Sequence, residues 1–348
     1  MTDFRRHNLV AAIRVPDHDF AETKLRVEIR EDPLTGHSAR ILRGTKLLPP
    51  SQLDLRALAE ETRAGCPFCS DRLEAVTPKF PAAIVPAGRI EVGEALLFPN
   101  LVPYSQYSSV SVYSPHRHFL PLKQISPRLL ADNLTAQVEF ARAVLRHDTR
   151  ATWVSINANH MLPSGSSVFH PHLQGSVNPI PTTMQRLLAA VKPSRFDGYL
   201  DAEREGGERL IGDTGRTTWL ASFAPIGPAE IRAFVPAVAS PVELADDLVE
   251  ELAAGISAML AVYAELGFQS FNLALYGAPP RTNGYPLNLR LICRSNLDSL
   301  YRSDATWLER LHWEAAIDIG PEDLAARARE PFAQVQGASD AASRQRRR

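Results

Sequence analysis

Two histidines separated by one residue, in His170-Pro171-His172-Leu173-Gln174, are the first place in this chain where chemistry follows from residue type and spacing. On an extended strand, residues i and i+2 point to the same side, because side chains alternate with period two. The proline between them offers no N–H to a ladder, so the spacing predicts a strand start or a strand edge. Paired imidazoles aimed at one place can attack phosphorus, bind a metal, or divide those tasks between them. Just upstream, Leu162-Pro163-Ser164-Gly165-Ser166-Ser167 is a turn-rich stretch. Its free N–H and hydroxyl donors suit phosphate oxygens, and the Gln174 amide adds another donor. Further back, Cys66-Pro67-Phe68-Cys69 has a spacing that suits a metal. Two inert thiols or a redox pair are the other readings, but no thioredoxin-like βαβ pattern surrounds them. Cys293 reads as a small buried hydrophobe.

The elements that must hold these residues are short strands and two long helices. Twenty-seven prolines favour many turns over a helical bundle. Branched and aromatic residues predict strands over 25–29, 83–85, 95–98, 108–113 and 152–156. Leu130, Leu134, Val138, Ala141 and Leu145 share one helical face behind Ser126-Pro127; Leu248, Leu252, Ile256, Met259 and Tyr263 do the same behind Ser240-Pro241. Each helix is followed by a strand, a glycine-containing loop and another strand. This weak repeat predicts an α+β fold of two tandem units, each an antiparallel sheet with packed helices. The division falls between Pro193 and Arg216, giving a catalytic unit over 1–200 and a second unit over 201–336, with residues 337–348 read as a disordered tail. The second unit carries Pro286-Leu287-Asn288-Leu289-Arg290 where the first has its histidines, so only one half keeps the reactive pair.

A chain of 348 residues with 45% hydrophobic and 22% charged residues can bury a sizeable core. Its net charge of −1 supplies no field for nucleic acid or an anionic membrane, which excludes both as expected partners. The basic run at Arg344–Arg348 reads as solvated chain. Three cysteines do not make a disulfide framework, no apolar region follows Met1-Thr2-Asp3-Phe4-Arg5-Arg6, and no apolar run is long enough to span a bilayer. A cytoplasmic protein is the expectation.

Taken together, these motifs resemble the galactose-1-phosphate uridylyltransferase-like family of the histidine-triad superfamily, over about residues 25–296. Arg30-Glu31-Asp32-Pro33-Leu34-Thr35-Gly36 is similar to its N-terminal Arg-x-Asp-Pro-Leu-Thr-Gly segment, and Cys66 and Cys69 to its zinc cysteines. Phe98-Pro99-Asn100-Leu101-Val102-Pro103 resembles its nucleotide-binding segment, and Ser114-Pro115-His116-Arg117-His118 its Ser-Pro-x-His zinc segment. The resemblance implies His172 as the nucleophile that becomes nucleotidylated and Gln174 as its partner on the phosphate. It implies Asn100, Asn159, Gly165, Ser167 and Arg30 as nucleotide and phosphate ligands. One structural zinc would be held by Cys66, Cys69, His170 and a third histidine-segment ligand, His118 or His116, with His118 favoured. Leu101 stands where the family usually has an Asp suited to ribose hydroxyls, which leans toward the branch resembling ADP-glucose phosphorylases. The absent second-half His-x-His implies no second metal. The implied activity is ping-pong transfer of a nucleoside monophosphate from an NDP-sugar to a sugar 1-phosphate or to inorganic phosphate, by a homodimer. A nucleotide-sugar hydrolase and a non-catalytic, zinc-stabilised nucleotide-binding protein are the alternatives.

Overall fold

A computed structural model of the protein describes residues 2–16, 19–44, 47, 48, 51 and 53–346, with side chains to residue 334. The chain opens with β1 (Arg6–Arg14), β2 (Glu22–Glu31), β3 (Ser38–Ile41), α1 (Leu55–Arg63) and α2 (Leu73–Val76). A first unit follows, with β4 (Ile90–Val92), β5 (Ala95–Pro99), β6 (Tyr107–Val112), α3 (Pro127–His147), β7 (Trp153–His160) and β8 (His172–Asn178). Two helices, α4 (Thr183–Ala189) and α5 (Pro193–Gly206), lead to a second unit: β9 (Leu210–Thr214), β10 (Thr217–Ala221), β11 (Ile231–Val235), α6 (Asp246–Glu265), β12 (Phe271–Tyr276) and β13 (Leu287–Cys293). The chain closes with α7 (Trp307–Leu311), β14 (Ala315–Ile317) and α8 (Pro321–Arg346).

Both units join one ten-stranded sheet, in the order β4-β5-β6-β8-β7-β12-β13-β11-β10-β9. Read from the middle outward, each half has the same order of strands, and the halves meet through the antiparallel pair β7/β12. The duplication is therefore a pseudo-two-fold about that pair. The expected tandem units are present, but they share a sheet and a core. Residues 200 and 201 lie inside α5, and the 193–216 stretch is ordered helix and strand where the composition predicts a boundary. The backbone of α8 is helical as far as Arg346, which covers most of the expected disordered tail. Residues 347 and 348 lie outside the described residues.

The two long helices form where the periodicity predicts them. Ser126 caps α3 by accepting from the Leu129 N–H, and Pro127 sits in the first turn, where its missing N–H costs nothing. Ser240-Pro241 caps a separate 3-10 turn, Pro241–Glu243, so α6 starts later, with Asp246 and Asp247 complementing its N-terminal dipole. Both helices cover one face of the sheet, and their buried apolar rows join it in a common core. Residues 83–85 do not form the expected strand. They sit in a turn between Pro81 and Pro86, where Ile84 and Val85 both donate to the Pro81 carbonyl. A flanking proline at each end leaves no run long enough for a ladder.

Gly175 shows how closely α3 approaches β8. A Cβ there would come within 2.1 Å of Gln137 Oε1 and 2.4 Å of Ser109 Oγ. Leu173, Gly175 and Val177 thus face the helices, and His172, Gln174 and Ser176 face the other way. The same alternation puts Ser155, Asn157 and Asn159 of β7 on the face of His172. That face carries the candidate site residues.

Candidate active site and metal centre

Cys66, Cys69, His118 and His170 converge in one buried cluster, each offering a ligand atom within 4.8 Å of the others. Cys66 Sγ lies 3.6 Å from His170 Nδ1, and Cys69 Sγ lies 3.4 Å from His118 Nδ1 and 3.7 Å from His170 Nδ1. A tetrahedral ion with arms of about 2.0–2.3 Å separates its ligands by about 3.6 Å, so these edges suit a small divalent cation. The far sides of the rings agree. His170 Nε2 donates to the Ser114 carbonyl at 2.9 Å, which leaves its Nδ1 as a lone pair. The Thr62 hydroxyl donates to the Ala59 carbonyl at 2.9 Å and accepts from His118 Nε2 at 3.0 Å, leaving His118 Nδ1 free as well. Such outer hydrogen bonds fix the tautomer that a metal needs. Burial holds His170 neutral, with its pKa lowered to about 4, and burial beside Cys66 pushes the Cys69 thiol up to about 12. Two thiols ionise together in such a place only when a cation compensates them. The donor set therefore fits a soft-to-borderline metal, and His118 joins it while His116 stays outside the cluster.

His172 opens β8, directly after Pro171, so the proline occupies a strand start as its chemistry requires. The His172 side chain is buried, and its Nδ1 lies 2.9 Å from the His170 carbonyl. A carbonyl can only accept, so Nδ1 carries the proton and Nε2 of the neutral ring is a lone pair. Gln174 Nε2 approaches that lone pair at 3.2 Å. Burial lowers the His172 pKa against the opposing pull of the His170 carbonyl, which keeps the ring neutral near pH 7. Phe68, between the two cysteines, walls the site edge-on, 5.4 Å from the His172 ring. The two histidines thus face different partners, His170 the cysteines and His172 the Gln174 amide.

The remaining expected ligands are arranged around this face. Asn159 is half-buried on β7 and accepts through Oδ1 from Asn272 Nδ2 at 2.7 Å. Gly165 ends the 3-10 turn Leu162–Ser164 at φ +94°, a left-handed conformation that favours glycine, and an added Cβ would sit 3.8 Å from Asn159 Nδ2. Ser167 is exposed on the same loop. Met161, just before the loop, is buried at φ +70° and ψ 159°, a region that bulky residues avoid. Asn100 follows β5 on the same sheet face, donates its N–H to the Ser108 carbonyl, and uses Oδ1 to accept from Val102 N–H. Leu101 beside it is 78% exposed.

Arg30 does not join this group. Its side chain is fully buried, Nη1 and Nη2 bind both oxygens of Glu322 at 2.8 and 3.0 Å, and Nε binds Glu28 at 2.8 Å. It clamps β2 to α8, and its donors are committed. In the same segment Asp32 is held by Arg232 at 3.0 Å and caps the turn through Leu34 and Thr35. Sequence reasoning passed over Asn157, Asn272 and Thr62. The first two carry a legible signal, polar residues at alternate positions of otherwise apolar strands. Thr62 carries none.

No protein-family model matches the chain. Its fold is that of a GalT-like protein from Arabidopsis thaliana, with a TM-score of 0.63, 19% identity, and coverage of 87% of this chain and 98% of that one. An ADP-glucose phosphorylase from Arabidopsis thaliana with bound ADP-glucose gives 0.63, 20%, 87% and 98%. A uridylyltransferase gives 0.58, 20%, 88% and 98%. The protein therefore shares the fold of these uridylyltransferase-like structures. A protein of Archaeoglobus fulgidus, described as an uncharacterized protein, is 30% identical over 316 residues, which are 89% of this chain and 93% of its own. The chain belongs to the same family as that archaeal protein.

Proposed function

We propose that this protein is a nucleotidyltransferase that moves a nucleoside monophosphate from an NDP-sugar to a sugar 1-phosphate or inorganic phosphate, through a covalent intermediate on His172. The observation that carries the reading is the fixed tautomer of His172, with Nδ1–H on the His170 carbonyl and the Nε2 lone pair on the open face. Nε2 attacks the α-phosphorus, and the bond from that phosphorus to the bridging oxygen breaks. The sugar 1-phosphate leaves with the electron pair. The modified ring is cationic, and the His170 carbonyl stabilises its Nδ1–H. A phosphate oxygen of the acceptor then attacks phosphorus and returns the electron pair to Nε2.

Phosphoryl-type transfer asks chiefly for positioning and for neutralisation of the equatorial oxygens. Gln174 Nε2, Asn159 Nδ2 and the N–H and hydroxyl groups of the Gly165–Ser167 loop are the donors for that task, and Asn100 is placed to meet the nucleoside. Zinc held by Cys66, Cys69, His118 and His170 would supply a fixed structural charge that anchors the backbone at His170. The rest of the reading is a homodimer in the cytoplasm. Supporting the dimer, β1 is an edge strand exposed along its length, with Leu9, Val10 and Ile13 each more than 40% exposed. A long apolar edge of this kind calls for a partner.

The test is intact mass after incubation with UDP-glucose, ADP-glucose or GDP-mannose at mildly alkaline pH, where a phospho-imidazole bond survives. A nucleotidyl-sized gain that His172→Ala abolishes is expected. Stoichiometric release of nucleoside monophosphate without acceptor overturns the transferase in favour of a hydrolase. Binding of nucleotide with no adduct overturns catalysis altogether.

A further inference from the structure

The second unit carries no counterpart of the reactive pair, yet its Asn272 reaches the loop after β7. Asn272 of β12 stands directly opposite Asn159 of β7 in the central ladder. Its Nδ2 meets three acceptors, Asn159 Oδ1 at 2.7 Å, the Ser164 carbonyl at 2.9 Å and the Ala158 carbonyl at 3.3 Å. Its Oδ1 accepts from Arg294 Nη1 at 2.7 Å. Arg294 is clamped in turn by Asp304, which takes Nε at 2.6 Å and Nη2 at 2.7 Å in a two-pronged pair.

The direction of each bond in this chain is forced. A guanidinium can only donate and a backbone carbonyl can only accept, so Asn272 has one possible amide orientation. The Asn159 atom facing Asn272 Nδ2 must then be its oxygen. The Asn159 Nδ2 group is left pointing at Gly165, with no hydrogen-bond partner among the described residues. We infer that Asp304, Arg294 and Asn272 are positioning residues that fix the Asn159 amide with its donor end toward the phosphate cradle, and that hold the loop through Ser164. This inference rests on the reading of His172 as the nucleotidylated group.

An amide free to rotate would present its oxygen to an anion half the time, and a reversed one would repel it. Asn272→Asp is the sharpest perturbation. It is isosteric and keeps the acceptor for Arg294, but it turns the Asn159-facing donor into an acceptor. Asn159 then rotates to donate to the new carboxylate and shows its own Oδ1 to the phosphate.

The experiment measures the rate of nucleotidyl-His172 formation by rapid quench and intact mass, with the donor that labels the wild-type chain. Nucleotide affinity is measured alongside by fluorescence or calorimetry. Asn272→Asp is expected to slow adduct formation about 10- to 100-fold, the scale of losing one oriented oxyanion donor. In an Asn159→Ala background the same substitution changes the rate by less than about twofold, because nothing is left to orient. Asp304→Asn, which loosens Arg294 at the end of the chain of bonds, gives a smaller loss with the same dependence on Asn159. It serves where Asn272→Asp fails to fold. If the losses persist undiminished in the Asn159→Ala background, or if neither variant slows the adduct, the positioning role is overturned. A wild-type chain that forms no adduct refutes the reading on which the inference rests, and does so before any variant is compared.

Discussion

Gln174→Glu puts the tautomer argument to its hardest test. In the native site the Gln174 amide donates to His172 Nε2 across 3.2 Å, and burial keeps the ring neutral. A carboxylate at that distance reverses both conditions. It can only accept, so it demands a proton on Nε2, and it places a full negative charge beside the ring. At an effective dielectric of about 20 such a charge contributes about 5 kcal/mol, and after desolvation and relaxation about 1.4–4 kcal/mol remains. The imidazolium is then favoured about 10- to 1000-fold over its native population. The reactive form is the neutral ring. The native protein, with a His172 pKa below the usual histidine value, holds an undiminished rate of adduct formation from neutral pH down past that value. In Gln174→Glu the rate at pH 7 falls, and its acid limb moves up by about one to three pH units. Quench-flow and intact mass from pH 5.5 to 9 read this directly. A parallel histidine titration by NMR checks that the moving group is His172. A Gln174→Glu limb that coincides with the native one refutes the assignment of Nε2 as the lone pair that Gln174 meets.

Two further outcomes follow from the same geometry. Thr62→Val removes the acceptor for His118 Nε2–H, and zinc affinity, measured by competition with a chelator, falls about 10- to 100-fold; equal affinity would refute the outer-shell role. His160 is buried and stacked on Phe271 at 5.0 Å, with its pKa lowered to about 3. The folded protein therefore takes up its proton later than the unfolded chain does. The stability this neutral ring contributes is complete above about pH 6.5 and drains away as pH falls toward 3, by about 2 kcal/mol between pH 7 and 5. His160→Phe keeps the stack and removes that loss, so urea midpoints of the variant fall less steeply with acid; parallel curves would disprove it.

What was legible in the sequence is what rests on short range. The reactive pair, the cysteine pair and the two amphipathic helices announce themselves through spacing, because strand and helix periods act over a few residues. His118 over His116 was readable only as a preference, since which histidine turns inward depends on a ring reaching Cys69, 49 positions away. Arg30 shows the opposite failure. Its segment matches a family pattern, but its partner Glu322 lies 292 residues along the chain, and only the folded state shows its donors consumed. Asn272 was missed for the same reason, its contact with Asn159 spanning 113 positions. Residues 83–85 have strand-like composition, and two prolines overrule it.

The second unit carries no counterpart of His170 and His172, and its corresponding face is closed. Asn288 and Arg290 occupy the positions corresponding to His172 and Gln174, and Arg290 is turned to Glu230 at 2.8 Å in the interior. Beside it Arg232 pairs with Asp32, so the N-terminal turn plugs the face whose counterpart in the first unit carries the half-buried Asn157, Gln174 and Ser176. Phe196 and Tyr199 of α5 complete the cover. Two buried ion pairs are a poor way to gain stability, but removing one partner from such a pair costs about 3–5 kcal/mol, so once formed they lock the plug in place. A closed half makes a rigid neighbour for an open one. Because the pseudo-two-fold runs between β7 and β12, the strand of the closed unit nearest the dyad is hydrogen-bonded to the strand that carries Asn159. Of the site-face residues of β12, Asn272 stands at the end nearest the Leu162–Ser164 turn, opposite Asn159. On the proposed reading, the closed second face supports the first, and that support reaches Asn159 through the pair of strands that the symmetry brings together.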